Sequence, residues 1–297
     1  MGLGLGWRNA AEVVPVAHEI GDILLGISTA YFLVFLALYL RKLVARPRVL
    51  FEDMDSPASR AGVAAAAMTM MLLAAALLPL GVSVPPVWWT GVILQIGASA
   101  VVCWAIWNDP PERRRFTPFQ YLTFVGPVIG PIAGIPLGFE TESLALILAA
   151  LIAYLIITAG YGRSLLRALP PMGLRPTLVI FLAPNCLFAI GFGLLGYEPG
   201  FQVFYWIANI VALTLVLLSP WLLAGGWSPA WAGLTFPSAA FLQVQVLAVV
   251  KGGGVMALTG VYAGLIVATP LVLVIAYRFT MLYVTGALAE QTGAAEV

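Results

Sequence analysis

Nine apolar runs, each about as long as a bilayer is thick, leave this chain no soluble fold to adopt. They cover residues 18–44, 61–80, 87–108, 119–138, 144–169, 176–196, 201–224, 229–250 and 255–284. A helix needs about 20 apolar residues to cross the hydrocarbon core. Charged residues make up only 9% of the chain, against about 25% in a soluble domain. Backbone groups in hydrocarbon must be satisfied internally, so each run is expected to be helical. The alternating pattern of a transmembrane barrel is absent. The chain therefore reads as an all-α polytopic membrane protein, one transmembrane domain over residues 1–297. Its net charge of +1 offers nothing to a nucleic acid. Cys103 and Cys186 lie inside apolar runs and read as buried thiols, not as a disulfide or metal site. No loop carries a nucleotide or calcium pattern, so no cofactor is implied.

The linkers at 82–86, 139–143, 197–200, 225–228 and 251–254 are short, which makes the helices they join antiparallel neighbours. Charge alternates from one linker to the next. Arg41, Lys42, Arg46, Arg48 and Arg60 flank one, Arg113, Arg114 and Arg115 sit in another, and Arg163, Arg167 and Arg175 flank a third. Glu12, Glu19 and Asp22, then Glu140 and Glu142, then Glu198 occupy the linkers between. Cationic loops stay in the cytoplasm, so both termini are expected there, in a cell inner (plasma) membrane. Arg278 near the end of the last run agrees. The tail at 290–297 reads as a disordered cytoplasmic end. Regular alternation requires a further crossing before Glu12, yet residues 1–11 supply only about half the needed length. The expectation is a truncated first helix, with Arg8 near the outer interface, snorkelling to water.

Counting that half-helix as the first, the helices divide chemically. The odd-numbered ones carry small residues and kink formers: Ala64 to Ala67 in the third, Gly126, Pro127, Gly130 and Pro131 in the fifth, Ala183, Pro184 and Asn185 in the seventh, Phe236 and Pro237 in the ninth. The even-numbered ones are richer in Leu, Ile, Val and aromatics. Small residues let backbones approach, and kinked backbone is tolerated where it faces protein or a water-filled cavity. Two architectures satisfy this: helical hairpins with one helix inside and one facing lipid, or a solid bundle. Phe236 precedes a proline and is framed by Gly233, Ser238, Ala239 and Ala240. Its ring projects at a kink, where it either fills a packing gap or plugs an axial passage.

Several stretches in order resemble one family. They are Trp231 to Phe241, Ile180 to Asn185 with its Leu-Ala-Pro, Pro118 with Tyr121, Ser56 with Pro57, and Trp89 to Gly91 with Gln95. Together they resemble the tellurite-resistance/dicarboxylate transporter family, which includes plant slow anion channels, fungal malate permeases and sulfite exporters. The resemblance runs nearly end to end, and Gly4 to Arg8 is similar to the end of that family's first helix. It implies about ten transmembrane helices, arranged as five hairpins around a central pore, in homotrimers whose subunits each carry a pore. It also implies that Phe236 is the pore gate.

A pore so placed would pass small inorganic or organic anions. No acid or lysine lies deep in a full span, and His18 sits at a helix start, so no internal ion pair competes with a passing anion. Backbone N–H groups freed at kinks and helix dipole ends offer weak positive potential. Thr69, Asn185 and Thr235 are polar candidates on inner helices, with Gln243 and Gln245 just beyond the gate; each equally suits a helix–helix hydrogen bond. Gly233, Pro237 and Ser238 give the Phe236 ring room. The alternative is a proton-coupled C4-dicarboxylate carrier, which needs a titratable group on the path. An integral membrane enzyme needs clustered nucleophiles, metal ligands or paired acids, and one histidine with no intramembrane acid pair argues against it. A non-transporting assembly subunit is the remaining reading.

Overall fold

The computed structural model describes residues 1–110 and 114–288. Arg113 of the cationic linker and the tail 290–297 lie outside the described residues. Among the described residues every regular element is helical, and eight helices are long and apolar enough to cross a membrane. We number the main helices α1 (Gly2–Ala10), α2 (His18–Ala45), α3 (Pro57–Leu77), α4 (Pro85–Asn108) and α5 (Glu140–Arg167). They continue with α6 (Leu182–Leu194), α7 (Glu198–Leu217), α8 (Thr235–Val250) and α9 (Gly254–Val284). The 3-10 stretches Met172–Phe181 and Pro229–Leu234 lead into α6 and α8. With those leads, the two reach spanning length as Met172–Leu194 and Pro229–Val250. The start of the chain is a helix of nine residues.

The run at 119–138 departs from a regular helix. Its apolar part, Tyr121–Gly134, is a π turn at Tyr121–Val125, a 3-10 turn at Gly126–Ile129 and a single α turn at Pro131–Gly134. Pro127 and Pro131 cause the break: neither has an N–H to give the carbonyl four residues earlier. We call Tyr121–Gly134 the broken segment. Prolines act differently at the helix starts. Pro57 and Pro85 open α3 and α4, where the missing N–H is not needed. Ser56 caps α3 by accepting the Ser59 N–H at 3.1 Å. At the acidic end of the molecule the hairpin turns carry left-handed glycines: Gly81, Gly138, Gly196 and Gly252 have φ of 74°, 88°, 72° and 83°. Glycine takes that backbone without a Cβ penalty, which lets a helix stop and reverse within a few residues.

Consecutive elements pack in pairs: α1 with α2, α3 with α4, the broken segment with α5, α6 with α7, and α8 with α9. First members also touch one another, α1 against α8, α8 against α6, α6 against the broken segment, and that segment against α3. Burial separates the two sets. The span ending in α6 is 83% buried, that ending in α8 56% and α3 44%; α4 is 33%, α9 28%, α5 22%, α7 17% and α2 6%. Lipid offers no hydrophobic drive for helices to meet, so close packing must hold them. At Gly4 a Cβ would stand 2.9 Å from the Leu25 backbone nitrogen, and at Gly21 2.7 Å from that of Arg8. Only glycine lets α1 and α2 approach so closely. Arg8 pairs with Asp22 and donates to the Pro79 carbonyl at 3.1 Å, tying this pair to the end of α3. Cys186 is buried as expected, but Cys103 is exposed. An apolar run says that a residue is in the membrane, not which face of α4 it occupies.

Candidate permeation site

Four of the first members, α3, the broken segment, α6 and α8 with their leads, together with Phe279 of α9, line a cavity of about 660 Å³. Its wall includes Ala58, Phe119, Pro171 and Ser228, which stand at or just before the N-terminal ends of α3, the broken segment and the two 3-10 leads. Met68, Val128, Leu187 and Phe236 line it further along the same elements. From Ala58 to Met68 a helix rises about 15 Å, half of a hydrocarbon core about 30 Å thick. The cavity is thus a vestibule running from the cationic face towards the middle of the membrane. Arg60, Arg115 and Arg175 stand within a few residues of its shallow wall, but no charged side chain lines it.

The arrangement has two electrostatic consequences. Elements that begin at the vestibule mouth share a direction, so their positive dipole ends gather there. The cations also differ between faces. At the acidic face Arg8 is paired with Asp22 and Lys251 with Glu198, the latter at 3.0 Å. At the cationic face Arg175 instead stacks over the Trp221 ring at 4.3 Å, and Arg278 over Trp227 at 5.1 Å. Two arginines of that face do pair with acids: Arg46 with Glu52 at 2.9 Å, largely in the open, and Arg60, which grips Asp109 through two bonds of 2.7 and 3.0 Å with 9% of its side chain exposed.

Five of the expected site residues line the vestibule: Phe236, Gly233, Pro237, Pro184 and Gly126. Phe236 is half-buried and packs against the main apolar core. Thr69, Thr235 and Ser238 donate to carbonyls three or four residues earlier, those of Ala65, Ala232 and Thr235, at 2.7, 2.8 and 2.9 Å. Asn185 is 1% exposed; it accepts from the Tyr154 hydroxyl at 3.0 Å and donates to the Phe181 carbonyl at 2.8 Å. Pro127, Gly130 and Pro131 sit behind the wall, where they shape the broken segment; the Gly130 carbonyl accepts from Trp88 Nε1 at 2.9 Å. Gln243 donates to the Gly2 carbonyl, and Gln245 is held between Tyr205 and Asn209. His18 is exposed beside Glu19.

Sequence reasoning passed over two groups. Arg60 with Asp109 joins the start of α3 to the end of α4; sequence suggests only a loop cation. Gln95 and Ser99 of α4 reach the broken segment, and their signal is a polar residue recurring on one face of an otherwise apolar helix. The chain matches the family described as SLAC1: Voltage-dependent anion channel, over residues 1–283. Comparison with curated proteins gives no match.

Proposed function

The chain belongs to the SLAC1 voltage-dependent anion channel family, and on that premise we propose that it passes small anions through a phenylalanine-gated pore. It is a multi-pass membrane protein of the channel and transporter class, not an enzyme. In our reading five hairpins stand around the pore, with α1, α3, the broken segment, α6 and α8 inside. The observation that carries this reading is the vestibule, whose wall is free of charged side chains and whose deep part includes Phe236.

An anion entering from the cationic face meets the N-terminal ends of several inner elements. Further in, it meets weakly polar wall with no fixed cation to trap it. Weak binding at several sites favours passage over capture. The Phe236 ring is the barrier: an apolar ring in a narrow passage excludes the water that an ion must keep. Gly233, with space for a Cβ only at 3.3 Å from Ile180, and Pro237, which frees the carbonyl of Gly233, shape the site around it. Ser238, Thr235 and Thr69 spend their hydroxyl hydrogens on nearby carbonyls and support the inner elements, with no donor left for the anion. Gly126, Pro127, Gly130, Pro131, Pro184 and Asn185 support the wall. No acid, histidine or lysine lines the vestibule, which favours a channel over a proton-coupled carrier. The cationic face is cytoplasmic in this reading, both termini lie there, and the subunits assemble as homotrimers.

The test compares wild type with Phe236→Ala in planar bilayers, with chloride, nitrate, sulfite and malate in turn. A large rise in current is expected in the variant, and the relative currents rank the anions. Correctly folded protein that carries no anion current in either form overturns the reading.

A further inference from the structure

The proline that breaks the pore-side segment leaves a specific debt in its backbone. In a regular helix the N–H of residue 127 would bond the Thr123 carbonyl, and Pro127 has no N–H. In a π turn each N–H bonds the carbonyl five residues back, so Leu122 also loses its regular partner. Hydrocarbon supplies no water to replace these bonds.

Both carbonyls are met from the neighbouring outer helix. Gln95 Nε2 of α4 donates to the Thr123 carbonyl at 2.8 Å and to the Leu122 carbonyl at 3.2 Å. Ser99 Oγ donates to the same Thr123 carbonyl at 2.9 Å. One turn-pair earlier on α4, Trp88 Nε1 reaches the Gly130 carbonyl at 2.9 Å. Trp88, Gln95 and Ser99 are spaced seven and four apart, which puts them on one helix face. Gln95 is 1% exposed, and its Oε1 has no partner. Its orientation is settled by the two carbonyls, since the reverse would set oxygen against oxygen. The side chain is therefore held at this position by its N–H group alone. Gly126 makes room for it: a Cβ there would lie 3.0 Å from Gln95 Nε2 and 2.8 Å from Met68 Sδ. Leu122, Val125, Gly126 and Met68 all line the vestibule, and Gln95 does not.

We propose that Gln95, backed by Ser99, is a positioning residue that sets the bore of the permeation path by holding the Leu122 and Thr123 carbonyls. The proposal rests on the channel reading above and deepens it. Gln95 touches no permeating ion; it determines where the wall stands. Without its amide, the Leu122 carbonyl must find another donor and the Thr123 carbonyl keeps only Ser99, and the segment that carries Leu122, Val125 and Gly126 shifts with them.

The test uses the full chain with Gln95→Met, which keeps length and loses both donors, and Ser99→Ala, a milder change. Both are measured in the Phe236→Ala background for unitary conductance and for the nitrate-to-chloride permeability ratio. We expect both quantities to change several-fold in Gln95→Met and less in Ser99→Ala. A second readout needs no current: the rate at which a cysteine at position 125 (Val125→Cys, with Cys103→Ser) reacts with a thiol reagent from the cationic face. It should change several-fold when Gln95→Met is added. Unchanged conductance, ratio and labelling rate, with only a lowered melting temperature, would reduce Gln95 to a brace and overturn the proposal. Absence of current in every form, with a changed labelling rate, would sink the channel reading while leaving the wall-positioning role intact. Should Gln95→Met fail to fold, Ser99→Ala alone decides, by the same three readouts.

Discussion

Gly126 has Met68 on one side and Gln95 on the other, and hydrogen is all that fits between them. A Cβ at 2.8 and 3.0 Å from those neighbours forces one of them to move. Overpacking of this kind costs about 1–3 kcal/mol. We expect Gly126→Ala to lower the midpoint of thermal unfolding in detergent, and Gly62→Ala, in open space, to leave it nearly unchanged. Arg60 poses the opposite case. Its partner Asp109 has 14% of its side chain exposed, so removing the cation strands a carboxylate in a poor solvent. Breaking a buried pair from one side costs about 3–5 kcal/mol. Arg60→Ala should therefore destabilise more than Arg46→Ala, whose pair with Glu52 is held by an arginine side chain 65% exposed. Chemical denaturation of the three proteins checks the order.

Broken elements account for the difference between nine apolar runs and eight long helices. The broken segment, the lead to α6 and the lead to α8 each contain or adjoin prolines, and each lies among the first members of the pairs. A side-chain hydrogen bond between membrane helices contributes only about 0.6 kcal/mol on average. A carbonyl left unsatisfied in hydrocarbon costs several kcal/mol. The second term dominates, so what matters about Gln95 is the orphan it prevents. Pro127→Ala supplies a competing N–H for Thr123. In that background the destabilisation from Gln95→Met should shrink, with a coupling of at least about 0.5 kcal/mol in a double-mutant cycle. Additive effects would mean that the two residues act independently.

At the scale of the whole molecule the charges divide by face. The acids Glu140, Glu142 and Glu198 stand at one face, and Arg41, Arg46, Arg48, Arg163 and Arg167 at the other. Cationic loops resist translocation. Cysteines introduced at Ser56 and at Glu142, in a Cys103→Ser chain, should therefore react with a membrane-impermeant maleimide from opposite sides, Ser56→Cys from the cytoplasm and Glu142→Cys from outside. Labelling of both from one side would contradict the alternation. Exposed apolar side chains such as Ile152, Ile210 and Ile266 cover the second members of the pairs, and a fraction of that surface is free to meet further subunits. Native mass measurement in detergent should give three times the chain mass of 31.5 kDa; a monomer would remove the trimer from the proposal.

Hydropathy determined the class and most run boundaries within a few residues, because lipid imposes helix on any long apolar run; the run 201–224 ends seven residues beyond its helix, Glu198–Leu217. Small residues and prolines in the odd-numbered runs also foretold which elements are more buried. Tertiary structure alone decided the rest. Cys103 and Cys186 look alike in sequence, but the azimuth of each on its helix exposed one and buried the other. Asn185 suits a polar pore wall or a helix–helix hydrogen bond equally in sequence, and only the fold shows Tyr154, remote in sequence, donating to its oxygen. Gln95 and Arg60 find their partners in Thr123 and Asp109, tens of residues away. A sequence records which backbone groups a proline will orphan; only the fold says which neighbour is close enough to satisfy them.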